Sequence, residues 1–356
     1  MVMTDPQTTG EEIDYTDSEQ RQLVREIKAL TIPELKALIR PHGIPVSGTK
    51  TELLDRIEDA LRAGNLSYAN IVDYLDAISP WKAQHVYLYN GPASVGNWRD
   101  LEWGRQHLTS CGVGHLINAI NRPFLPTGMQ LTSIEHRHDR LRIMAVERRE
   151  FYDRAAEHDR DAESLDDDAE IEYRAYKRII HRGWVVFEWN FFSNTAMLQI
   201  AQLPSGDKYE DIALQFGTRI SPILDMSAFE KINIRRVIRR LIEMEANDQA
   251  ETRSHISTLQ SRTGRRITAS SATSSDNLLG DPIIDDAMQR VRADGGTDHL
   301  GNFYWLTGSE NPAHNNPLET QVHVVLIGEK ARVNLSKVNR EEDVRYVLDR
   351  VRTLSE

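Results

Sequence analysis

The stretch LTIPELKALIRPHGIPVSGTKTELLDRIEDAL, residues 30–61, constrains the fold more than any other part of the chain. Thr31 and Glu34 stand three apart, as do Thr49 and Glu52. In each pair a hydroxyl and a carboxylate can satisfy the first free N–H groups of a helix from opposite sides, a capping box. Pro33 sits in the first turn of the first helix, where its missing N–H costs nothing. Leu35, Leu38 and Ile39 form one apolar stripe, and Leu53, Leu54, Ile57 and Leu61 form a second. Pro41 and Gly43 end the first helix. Ile44 and Val46 can plug the gap between the two. The outcome is a small helix–loop–helix unit, with helices around 32–41 and 50–63 and a loop of set shape.

That loop places particular chemistry at the start of the second helix. Unpaired N–H groups and the positive end of the helix dipole meet there. Gly48 lets an anion come close to the backbone, Ser47 and Thr49 offer hydroxyls, and Lys50 adds a charge. Lys36 and Arg40, one turn apart on the first helix, extend the contact. Such a set suits phosphate, and phosphate contacts position a protein without reading base sequence. The order Leu-x-x-x-Glu-Leu-Lys, then Gly-Ile-Pro-Val-Ser-Gly-Thr-Lys, then Glu-Leu-Leu-Asp-Arg-Ile resembles the SAP motif, a short helix–loop–helix DNA-binding module. The resemblance implies duplex DNA as partner, often with an A/T-rich preference, in proteins of chromosome organisation, repair or transcription. It implies backbone contacts from Gly48, Thr49 and Lys50, with Lys36 and Arg40 nearby. Pro41-His42 departs from the family, which usually carries a charged pair there. The same unit could instead serve protein docking.

The 356-residue chain is long enough for a second, larger domain. A net charge of −11 excludes a globally basic coat but not a local basic face. Cys111 is the only cysteine, which excludes an intramolecular disulfide and a cysteine-built zinc site. The polar, acidic N-terminus is unlike a signal peptide, and no run of eighteen apolar residues suggests a membrane span. A cytoplasmic protein, nucleoid-associated if prokaryotic, is expected.

Residues 1–17 are expected to be a disordered acidic tail, 18–64 the helical module, and 65–80 a linking helix. Residues 81–356 form an α+β domain of mainly antiparallel sheet with helices, divisible into halves at about 81–247 and 248–356. QHVYLYN reads as a buried strand, and residues 129–153 as a hairpin turning at His138-Asp139-Arg140. Residues 171–206 read as three strands with turns at Arg182-Gly183 and Ser193-Asn194, preceded by an acidic loop over 157–170. A helix over about 227–246 carries Phe229, Ile234, Val237, Ile238, Leu241 and Ile242 on one face. Strands over 250–272 turn at Thr263-Gly264. A helix starting at Pro282, further strands and a C-terminal amphipathic helix complete the pattern.

The best second phosphate surface is INIRRVIRRLIEM. Its Arg235, Arg236, Arg239 and Arg240 lie opposite the apolar stripe, and the following hairpin adds Arg262, Arg265 and Arg266. The alternative is a solvated face paired with Glu230 and Glu243. Ser270, Ser271, Thr273 and Ser274 read as a polar linker. His136 and His138 share a strand face, a spacing that can bind metal, although hairpin-tip histidines are usually plain surface groups. Trp184, Phe187, Trp189, Phe191 and Phe192 read as core, with base stacking as the alternative. No phosphate loop or recognisable catalytic constellation is present, so no cofactor is expected and a non-enzymatic DNA binder is favoured. A DNA-processing enzyme with an unrecognised site is one alternative. A protein-assembly module, with homo-oligomers or protein partners, is the other.

Overall fold

The computed structural model describes residues 15–119, 122–166, 169–203, 208–247, 250–273, 275–311, 313–337 and 340–356. They divide into two compact units. One holds residues 15–78 with 122–125, and the other 79–119 with 126–356. Residues 1–14 of the expected tail lie outside the described residues. Its last three residues are ordered: Tyr15 is buried, and Thr16 caps the first helix in a capping box with Glu19.

The first unit contains α1 (Asp17–Ala29), α2 (Ile32–Ile39), α3 (Lys50–Ala63) and α4 (Tyr68–Ile78). Leu23 and Ile27 of α1, Leu35, Leu38 and Ile39 of α2, and Leu53 and Ile57 of α3 form its core. Ile71, Val72 and Leu75 of α4 are buried in that same core, and the Tyr74 hydroxyl donates to the Glu34 carbonyl at 2.7 Å. The helix expected to act as a linker is therefore a wall of the module. Two short helices bury too little apolar surface to stand alone, and α1 and α4 supply the remainder.

The second unit is built on an eleven-stranded antiparallel sheet among the described residues. Along the chain come β1 (Gln84–Asn90), α5 (Leu101–Ser110), β2 (Gln130–His136), β3 (Arg140–Arg154), β4 (Arg160–Asp166), β5 (Ala169–Tyr173), β6 (Tyr176–Asn190), β7 (Thr195–Ala201) and α6 (Tyr209–Ile220). Then follow β8 (Glu230–Lys231), α7 (Ile234–Ala246), β9 (Thr252–Gln260), β10 (Arg266–Ser270), α8 (Pro282–Ala293), β11 (Thr297–Trp305), β12 (Val322–Ile327), β13 (Arg332–Leu335) and α9 (Glu341–Ser355). The sheet order is β10-β9-β11-β12-β13-β1-β7-β6-β3-β2, with β8 on the end of β1 and β4–β5 a separate hairpin. The two expected halves are thus joined edge to edge, Val86 of β1 opposite Val333 of β13.

Period-two alternation sends β1 side chains to both faces. Val86 and Leu88 join the core under α7 and α9, while Tyr87 and Tyr89 join the core under α5 and α6. Helices therefore cover opposite faces of the sheet in its two halves.

Three local expectations are corrected. The turn at Arg182-Gly183 is absent, and β6 runs straight through it. Gly183 is needed because a Cβ there would collide with the Arg149 guanidinium. That group pairs with Glu147 of its own strand at 2.8 Å and crosses β6 to reach the Ala201 carbonyl of β7 at 2.9 Å. Phe229 lies outside the helix, which begins at Ile234 with an Asn233 cap. The preceding residues Glu230 and Lys231 are held as a strand against β1. The acidic stretch 157–170 carries β4 and part of β5 rather than an open loop, and its residues 167 and 168 lie outside the described residues. Asp159 pins the base of this hairpin through Arg154 and through the Ala175 N–H at 2.8 Å. Of the expected linker over 270–274, Ser274 lies outside the described residues, and Ser271 donates to the Thr273 carbonyl at 2.8 Å.

Candidate nucleic-acid interface

The loop between α2 and α3 is fixed by three local devices. Residues Arg40–His42 tighten α2 into a 3-10 turn, and Gly43 follows in the left-handed region at φ 69°. Ile44 and Val46 pack against the module core. Arg56, reaching back from α3, donates to the carbonyls of Pro45, at 2.9 Å, and Ser47. That contact has no signature in the local sequence pattern.

Both capping boxes form. Glu34 accepts from the Thr31 N–H and hydroxyl, each at 2.7 Å. Glu52 accepts from the Thr49 N–H at 2.7 Å and from its hydroxyl at 3.2 Å. These bonds hold the exposed Glu52 carboxyl below its ordinary range. Gly48 has φ 115°, and the Glu52 carboxylate lies where a Cβ would be. The glycine is thus accounted for by closure of the box, without any bound anion. A carboxylate already occupies part of the α3 start, leaving the Lys50 and Thr51 N–H groups at the open end of the helix.

The module's cations fall into two groups. Arg21 donates to the Asp17 carbonyl at 3.0 Å, Arg56 locks the loop, and Arg62 pairs with Glu58 at 3.3 Å and Asp59 at 2.9 Å. Lys36, Arg40 and Lys50 have no hydrogen-bond or ion-pair partner among the described residues; Arg40 is exposed, and Lys36 and Lys50 are half-buried. Arg25 and Lys28 on α1 are likewise exposed and unpaired, two cations that helix spacing alone does not single out. Ser47 is exposed as well.

The expected second surface is brought together only in part. Asn233, Arg235, Arg236, Arg239, Arg240 and Glu243 line an open cleft of about 460 Å³ beside Thr297 and Asp298. Asp298, 2 % exposed, takes Arg292 at 2.9 Å and Arg239 at 3.5 Å. Arg240 donates to the Leu354 carbonyl at 3.0 Å, closing the end of α9. The β9–β10 hairpin does approach the helix. The Arg235 stem lies against Gly328, next to Glu329, and Glu329 pairs with Arg266 at 3.2 Å. Arg235, Arg236, Arg262 and Arg265 are exposed without side-chain hydrogen bonds or ion pairs among the described residues. No ion pair joins Glu230 or Glu243 to the helix arginines among the described residues.

Other candidates are structural. His136 bonds the Trp98 carbonyl at 2.6 Å, with Gly104 packed against its ring, and His138 bonds the Arg99 carbonyl at 3.2 Å. Both histidines therefore anchor the turn before α5. Among the described residues no group of three acidic, histidine or cysteine side chains is placed to hold a metal ion. Trp184, Phe187, Trp189 and Phe191 are buried, whereas Phe192 is exposed and lies under Arg99 at 5.2 Å. Among the described residues no helix is long and apolar enough to cross a membrane.

No curated protein matches the chain. Residues 26–62, from the last turn of α1 to the last turn of α3, match the family model of the SAP domain. The chain therefore carries a SAP domain over that stretch, a module that generally implies nucleic-acid binding.

Proposed function

We propose that this is a DNA-binding protein, chromosome-associated or regulatory, that grips the duplex backbone through its SAP domain. The observation that carries this reading is the unpaired state of Lys36, Arg40 and Lys50, in a chain whose arginines are largely engaged by carboxylates and carbonyls. Phosphates meet Lys50 and the open N–H groups of α3, Lys36 and Arg40 extend the track, and Ser47 and Thr49 flank it. Glu52 excludes phosphate from its own side of the helix start, so the duplex approaches from the lysine side.

Residues 26–62 contain six cations and six carboxylates, so the domain alone binds weakly. A few phosphate contacts give a Kd of about 10⁻⁴ to 10⁻⁶ M at physiological salt. Arg235 and Arg236, with Arg262 and Arg265 on the adjoining hairpin, supply a second backbone contact, and two linked weak sites reach useful avidity. Arg239 divides its charge between the cleft and Asp298, Arg266 is paired with Glu329, and Arg240 serves α9. The test is titration of labelled duplexes of different A/T content with the full chain and with Lys50→Glu. A similar loss across all duplexes is expected. Unchanged affinity with the fold intact removes the proposed site.

A further inference from the structure

We infer that the face of β9, β11 and β12 opposite the helices is a second nucleic-acid site, one that takes single strands by stacking their bases. It is separate from the SAP domain and uses different chemistry. Helices α7, α8 and α9 all pack on the opposite face, where Phe303, Trp305, Val324 and Val333 are buried. The residues between them in the alternation, Leu300, Asn302 and Tyr304 on β11 and His323 and Val325 on β12, are half-buried.

Across this face runs a row of rings on three neighbouring strands. His255 on β9 lies 6.2 Å from Tyr304 on β11, and Tyr304 lies 4.8 Å from His323 on β12. The rings are held in place. His323 Nε2 is 2.6 Å from the Asn302 side-chain oxygen, which can only accept, so Nε2 carries the proton. Its Nδ1 accepts from the Ser336 hydroxyl at 2.8 Å. The imidazole is thereby fixed as one neutral tautomer beside the Tyr304 ring. His255 is tied the other way round: the Ser271 hydroxyl spends its proton on the Thr273 carbonyl, so it accepts from His255 Nδ1–H at 2.6 Å. Arg253 lies over Tyr304 at 5.4 Å and donates to Gln321 at 2.8 Å.

The charge of the face points to the occupant. The chain carries an excess of acids, yet β9 to β13 hold a single carboxylate, Asp298. That one is on the helix side, held by Arg239 and Arg292. The open face keeps Arg253 and Arg266 at its edges, with Glu310 and Glu329 at the rim, whereas Arg332 is taken up by Glu210 and the Tyr209 ring. Flat rings, fixed amides and edge cations suit a polyanion with free planar bases. A duplex cannot use the rings, because its bases already stack on one another.

The experiment is fluorescence anisotropy on the full chain, with labelled oligothymidylate and oligouridylate of about fifteen nucleotides and a mixed-sequence duplex. Tyr304→Leu keeps the bulk and removes the ring. It should weaken both single strands about 5- to 150-fold, the range for loss of one stacked base. Tyr304→Phe should bind like the parent, and the duplex affinity of Tyr304→Leu should stay within about twofold. The tighter of the two single strands identifies the natural ligand as DNA or RNA. Lys50→Glu should do the reverse, weakening duplex and sparing single strands, so failure of one site is distinguishable from failure of the other. Photocrosslinking of halogenated oligouridylate to the unmutated chain should map to Tyr304 or His323, whether or not the leucine variant folds. Crosslinks confined elsewhere overturn the inference. So do unchanged single-strand binding in a folded Tyr304→Leu, and a face that binds no single strand but pairs copies of the chain in light scattering.

Discussion

Replacing Lys36, Arg40 and Lys50 together by alanine is the most direct perturbation of the SAP domain. None of the three side chains has a hydrogen-bond or ion-pair partner among the described residues, so the fold should be nearly indifferent to their loss, within about 0.5 kcal/mol each. Each phosphate neutralised on duplex DNA releases counterions and adds about 0.9 to the slope of log affinity against log salt. Three contacts therefore contribute a slope of about −2.7, and the full chain should lose that amount when all three are removed. If the parent and the variant converge at 1 M salt, each contact is worth about eightfold in affinity at 0.1 M. The triple variant then falls about 500-fold. Anisotropy titrations of a labelled duplex over a salt series read the slope directly, and circular dichroism with thermal melts confirms the fold. A slope unchanged within about 0.5 in a folded variant would falsify the backbone-contact assignment.

Two further outcomes follow from other parts of the molecule. Arg235→Ser with Arg236→Ser should reduce the duplex slope by about 1.8 and leave the melting temperature unchanged, because neither side chain is engaged elsewhere; a shift in melting without a change in slope would make them structural. Burial, and after it the neighbouring Arg332 charge, pushes the His85 imidazole down to about 3. The unfolded chain takes up a proton on this residue as pH falls below about 6.5, and the folded chain does so only near 3. The stability it contributes is therefore complete above about 6.5 and is lost as pH falls towards 3. Urea unfolding of His85→Gln should show a weaker loss over that interval than the parent, and parallel pH profiles would refute the assignment.

Features written in local spacing were legible before any coordinates. The capping boxes at Thr31 and Thr49, the hairpin at His138-Asp139-Arg140 and the turn at Thr263-Gly264 all form, since each depends on residues within one turn of each other. The errors came where a distant partner decides. Gly183 looks like a turn residue, yet it is a strand glycine that makes room for Arg149, a residue of the neighbouring strand. Phe229 has helical spacing from Ile234 onward, but β1 holds the intervening chain extended. The join of β1 to β13 is invisible locally because nearly the whole second unit lies between the two strands. In the SAP domain, Lys36, Arg40 and Lys50 were readable from spacing, whereas the Arg56 clamp and the unpaired state of Arg25 and Lys28 needed coordinates. The ring row of His255, Tyr304 and His323 was not readable at all. It is assembled across three strands whose register no short pattern encodes.

Glu52 provides a test of opposite sign, which separates DNA contact from protein docking at the same loop. Its carboxylate closes the capping box and adds a negative charge at the helix end where phosphate is proposed to sit. Glu52→Gln keeps the acceptor oxygen for the Thr49 N–H, since glutamine also completes a capping box, so the helix start should survive. What changes is the charge. A carboxylate and a phosphate about 7 Å apart in a water-like medium repel by about 0.6 kcal/mol. Removing that repulsion should tighten duplex binding about threefold at low salt, and screening should erase the gain as the Debye length shrinks below the separation. Alanine at the same position removes the acceptor too and should lower the stability of the module by about 1 kcal/mol. Glutamine thus gives tighter binding with an unchanged melt only if phosphate approaches the lysine side of α3. A glutamine variant that melts like the parent and binds duplex no better at low salt places the phosphate away from this helix end, and leaves the loop as a protein-docking surface.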